Sequence, residues 1–82
     1  MDKLLTSRNQ IDIIDTQIMD LLDKRYDIAI EIGNIKKENK TQVLDSNREE
    51  IVLEKTSKLR HSLAIANVYK SIMDESKNLQ RK

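Results

Sequence analysis

Aliphatic residues recur through the first half of the chain with the spacing of a helix. With Leu4 as heptad position a, the a positions are Leu4, Ile11, Ile18, Arg25 and Ile32. The d positions are Ser7, Ile14, Leu21, Ile28 and Ile35. Eight of these ten are aliphatic over more than four heptads, which predicts one helix from 4 to about 38. Ile13, Met19, Leu22, Ala29 and Ile30 widen the apolar face beyond a two-strand seam. A helix of about 35 residues is roughly 52 Å long, more than a globule of this size is wide. One subunit cannot bury that stripe, so the pattern predicts an oligomer, and a dimer first.

Residues 37–44, "KENKTQVL", lose the period and read as a loop. In "DSNREEIV", Ser46 and Glu49 have the spacing of a capping box, and Asp45 is a competing N-cap. A second helix is expected over 47–60, with Ile51, Val52 and Leu59 inward. "RHSL", 60–63, reads as a short turn in which Ser62 is a candidate cap. A third helix is expected over 63–80, with Ile65, Val68, Tyr69, Ile72, Met73, Ser76, Leu79 and Gln80 on its inner stripe. The expected architecture is all-α: one domain over 1–82, with three helices per subunit and a long N-terminal one.

Composition supports that class. There is no Pro and one Gly, so little interrupts a helix, and with no Phe or Trp the core must be aliphatic. Fifteen basic residues nearly balance fourteen acidic ones, for a formal net charge of +1. That balance argues against a nucleic-acid partner or an acidic membrane surface. There is no Cys for disulfide or thiolate chemistry, and no run approaches the ~20 apolar residues of a membrane span. A soluble, cytoplasmic protein is expected.

The informative residues are polar ones on apolar faces. Arg25 occupies an a position, where a polar residue either fixes register and oligomeric state or faces a cavity and meets an anion. Lys36 follows eleven residues later, so both leave the same face, about 16 Å apart along the axis. Arg8 lies about 100° around the helix from Arg25, either solvated or reaching a partner subunit. Asp45, Arg48, Glu49 and Val52 share one face of the second helix, as a cap with local ion pairs or as part of a site. Ser76 and Gln80 sit at i, i+4 in the third stripe. Gln80 either bonds a nearby carbonyl or aims its amide N–H at a ligand oxygen. His61 has no companion at ligand spacing and reads as surface. The carboxylates lack metal-ligand spacing, and no Gly-rich phosphate loop or Ser–His–Asp set is present. Jointly, each of three helices turns polar groups inward, those on the long helix being cationic, which describes a pocket for a small, multiply charged anion.

Arg8, "DLLDKR" ending in Arg25, "IGNIKKEN" carrying Lys36, "LDSNREE" and "MDESKNLQ" together resemble the all-α class of chorismate mutases, from about Leu4 to Gln80. The resemblance implies three-helix subunits intertwined as a homodimer with two sites, converting chorismate to prephenate on the way to Phe and Tyr without a cofactor. It implies that Arg25 binds one substrate carboxylate and that Arg8 comes from the other subunit to hold a carboxylate. Lys36 would contact a carboxylate and the ether oxygen, and Gln80 would give that oxygen a second donor. Glu49 and the backbone near Asp45 would hold the ring hydroxyl. Arg48 would support the site, Ser76 would lie beside a carboxylate, and Ile32, Val52 and Met73 would form apolar walls. The connection between the second and third helices is shorter than in familiar members, and Leu44 stands where some carry Arg. Two alternatives remain: an isochorismate-pyruvate lyase on the same fold, and a non-catalytic helical dimer serving as scaffold or regulator.

Overall fold

The computed structural model describes residues 2–82. They form three helices, α1 (Lys3–Glu38), α2 (Ser46–Glu54) and α3 (Ser62–Gln80). α1 starts where Asp2 accepts hydrogen bonds from the Leu4 and Leu5 amides at 2.9 and 3.3 Å, satisfying orphan donors of the first turn. It stops in the polar loop. Lys40 takes a left-handed φ of 54°, Thr41 N donates to Lys36 O and Lys40 N to Lys37 O. That pair of bonds is the Schellman closure, here made without Gly.

Asp45, not Ser46, caps α2: its Oδ1 accepts from Arg48 N at 3.0 Å, and Ser46 is already the first helical residue. A carboxylate at this end also meets the positive pole of the helix. α2 is shorter than the pattern 47–60 suggests, ending at Glu54. Thr56 Oγ1 donates to Leu53 O at 2.7 Å, and residues 55–61 run on as turns with i to i+3 bonds. Such a side-chain bond to a preceding carbonyl competes with helix continuation. Ile51, Leu59 and Val68, expected inside, are exposed. Ser62 is the first residue of α3 rather than its cap, and His61 is exposed as expected.

α3 is the hub, packing against α1 and carrying α2, while α1 and α2 make no Cα approach within 8 Å. The face of α1 turned to α3 is not the aliphatic stripe. Its buried residues are Ala29 and Gly33, whose small side chains admit a close helix. A Cβ on Gly33 would lie 2.6 Å from Gln80 O and 2.7 Å from its Cα. The a and d aliphatic residues of α1 stay exposed, none below 39%. Ala29, Val52, Ile72 and Met73 form the buried hydrophobic core. The molecule measures 59 × 24 × 14 Å, a flat plate with one helix protruding. Among the described residues no helix is long and apolar enough to cross a membrane.

Candidate active site

Because α1 and α2 both pack on α3 while their own Cα atoms stay more than 8 Å apart, a cleft of about 250 Å³ remains between them. α1 lines it with Arg25, Ile32 and Lys36, α2 and its cap with Asp45, Arg48, Glu49 and Val52, and α3 with Met73, Ser76 and Gln80. These are ten of the eleven residues singled out in the sequence. The short α2–α3 connection does not carry Ser76 or Gln80 out of the cleft. Arg8 is not among the lining residues; it is exposed on α1, about 26 Å along the axis from Arg25.

Arg25 is held by neutral groups. Its Nη1 donates to Ser76 Oγ at 2.6 Å, and its guanidinium carbon lies 5.9 Å from the centre of the Tyr69 ring, within cation–π range. Ser76 Oγ donates in turn to Ile72 O at 2.8 Å. Lys36 Nζ donates to Val43 O at 2.8 Å, tying α1 to the loop and leaving two of its three donors free. Among the described residues no carboxylate pairs with Arg25, Lys36 or Arg48. The cleft therefore offers uncompensated positive charge on oriented donors, which is what a small anion requires. Beyond Arg25 and Arg48 it adjoins a second cavity of about 240 Å³ that Lys55, Thr56 and Tyr69 help line.

The opposite charge is arranged differently. Glu49 Oε2 lies 3.1 Å from Lys77 Nζ, which also meets Asp74 at 3.4 Å. The hydrogen bond to Glu49 raises the Lys77 pKa above its ordinary value against the pull of burial. Glu49 thus faces the cleft as an oriented acceptor. Gln80 Oε1 is buried without a partner among the described residues, an expensive condition for a polar atom. Val52 and Met73 are buried apolar walls, and Ile32 is a more exposed one.

Sequence reasoning did not place Ile28, Ala29, Val43 or Lys77 in the cleft, nor Gly33 at the crossing with α3. Gly33 had a signal: a glycine inside an unbroken helical pattern marks a close approach. Lys77 had none, because its partner Glu49 is on another helix. Val43 contributes only a carbonyl, which no side-chain pattern reveals.

The chain matches the family profile described as Chorismate mutase type II over residues 7–81. It is 34% identical over 84 residues to a bifunctional chorismate mutase/prephenate dehydratase of Buchnera aphidicola subsp. Schizaphis graminum, an alignment covering 96% of this chain and 22% of that protein. It therefore spans about a fifth of that relative's length. Among solved structures it resembles a conserved hypothetical protein from Pyrococcus furiosus, with a TM-score of 0.84 and 39% identity over 98% of this chain and 97% of that one.

Proposed function

The chain belongs to the chorismate mutase type II family, and we propose that it catalyses the rearrangement of chorismate to prephenate. The reaction is an intramolecular [3,3] shift in which an ether C–O bond breaks while a C–C bond forms. It asks for no nucleophile and no proton transfer. It asks that a flexible dicarboxylate be held in a compact, chair-like shape, and that negative charge growing on the ether oxygen be met by fixed donors. A rate factor near ~10⁶ corresponds to about 8 kcal/mol, within reach of confinement and a few charged hydrogen bonds.

The observation that carries this reading is Arg25, a guanidinium oriented by a hydroxyl and an aromatic face with no carboxylate beside it. Its natural partner is a substrate carboxylate. Lys36, on the same side of α1, has free donors for a carboxylate and the ether oxygen, and Gln80 supplies the second donor there. Glu49 and the Asp45 backbone accept and orient the ring hydroxyl, Arg48 supports the site, and Ile32, Val52 and Met73 exclude water. The cleft lining carries four cations and two carboxylates, net +2, complementary to a dianion.

The functional unit in this reading is an intertwined homodimer in which α1 of one subunit brings Arg8 to the site of the other. The surface supports it. A compact monomer of 9.6 kDa exposes about 5,100 Å², whereas this chain exposes 7036 Å². The excess lies where α1 leaves its aliphatic stripe open, and oligomers bury such stripes.

The test is turnover of chorismate by the purified protein, with the product identified and isochorismate run in parallel. Prephenate from the wild type and none from a folded Arg25→Ala variant supports the proposal. Salicylate and pyruvate from isochorismate, without prephenate, would assign the chain to the lyase instead. A folded protein that turns over neither substrate is a binding or scaffold module.

A further inference from the structure

We infer that Lys77 is a positioning residue of the cleft: it orients the Glu49 carboxylate toward the substrate hydroxyl and offsets its charge beside a dianion. The inference rests on the chorismate mutase reading.

Three observations meet at this side chain. First, the Lys77–Glu49 contact is the one ion pair among the described residues that joins two helices; the other two lie within a helix, at i, i+4 and i, i+3. Second, both partners line the cleft, and both are largely withdrawn from solvent, with side-chain exposures of 19% and 29%. Such a pair is screened less than a surface one. Third, Lys77 directly follows Ser76, the residue that orients Arg25. The α3 segment that positions the carboxylate-binding cation therefore also positions the hydroxyl-binding anion.

The physical problem is repulsion. A cleft that takes two carboxylates must keep a third of its own close by to accept from a hydroxyl. A lone Glu49 would repel the substrate and turn away from it. Lys77 engages Glu49 Oε2, which leaves the other oxygen to accept from the ligand and offsets the local charge. Asp74 holds the ammonium from the solvent side, and like any lysine it is charged at neutral pH.

The experiment is a double-mutant cycle on the full chain, using Lys77→Met, Glu49→Gln and the double variant, with Lys77→Arg as the conservative rescue. Steady-state chorismate kinetics are read beside circular dichroism, which reports folding. Lys77→Met should raise KM about tenfold with a smaller change in kcat, the size expected for losing one charged hydrogen bond. Lys77→Arg should recover most of that loss. The double variant should be no worse than Glu49→Gln alone, because Lys77 acts only through Glu49. Effects that multiply, or a Lys77→Met variant with wild-type KM, would overturn the inference while leaving the mutase reading intact. Absence of prephenate from the wild type would overturn both.

Discussion

Arg25 Nη1 donates to Ser76 Oγ across 2.6 Å, and that hydroxyl donates to the Ile72 carbonyl at 2.8 Å. A cation on α1 is thus aimed by a relay rooted in the backbone of α3. Removing the aim and removing the charge should differ in size. Ser76→Ala should lower kcat/KM about three- to tenfold, the value of a neutral hydrogen bond. Arg25→Lys keeps the charge but loses the fork and should lower it about 10²- to 10³-fold. Steady-state kinetics on variants with wild-type helicity decides the point; equal losses would refute the relay.

Gln80 keeps a buried, unpartnered Oε1. Function and stability should therefore part at this position. Gln80→Leu removes the unsatisfied oxygen and should leave stability unchanged or raise it by about 1 kcal/mol. The same variant should lose about 10²-fold in kcat through the missing donor. Denaturant unfolding beside turnover measures both. A variant that is less stable yet fully active would contradict the assignment.

Gly33 touches the backbone of Gln80 so closely that a Cβ would lie 2.6 Å from its carbonyl oxygen. Backbone cannot rotate away as a side chain can. Gly33→Ala gains about 1 kcal/mol of helix propensity, yet overpacking costs about 1–3 kcal/mol. Net destabilisation is expected, with a fall in kcat because the end of α3 must shift. A more stable, fully active Gly33→Ala protein would show that the two helices separate freely.

Arg8 tests the intertwined dimer. Arg8→Ala and Arg25→Ala should each be nearly inactive as homodimers. Unfolded together and refolded, half the dimers would be mixed, and each mixed dimer would hold one site free of both substitutions. Activity should return to about a quarter of wild type. No recovery, with mixed dimers demonstrated by mass spectrometry, would place Arg8 in its own subunit's site, and a fully active Arg8→Ala homodimer would place it outside both.

The Lys77 pair carries a pH signature. Its pKa is raised above 10.5 in the folded chain, chiefly by the hydrogen bond to Glu49. The stabilisation it gives is fully present below the unfolded value and is lost as pH rises through the folded one. The stability difference between wild type and Lys77→Met should be flat from pH 7 to about 10 and shrink above that. Denaturation midpoints across that range give the curve; a difference that shrinks already near pH 8 would mean that Lys77 is not held by Glu49.

Local and periodic information determined much of this protein. The α1 stripe, the absence of Pro and the ordered polar residues specify three helices and most of the residues that line one cleft. They do so because helix periodicity alone puts Arg25 and Lys36 on one side, and Ser76 and Gln80 on one side. Tertiary structure decided what periodicity cannot encode. It turned small Ala29 and Gly33 toward α3 and left the larger aliphatic stripe open, since only small residues admit so close a crossing. It ended α2 at Glu54, where a threonine hydroxyl competed for a carbonyl that the second half of the expected helix would have used. It paired Glu49 with Lys77, because ion pairs between helices depend on how the helices dock and not on where their residues fall in the chain.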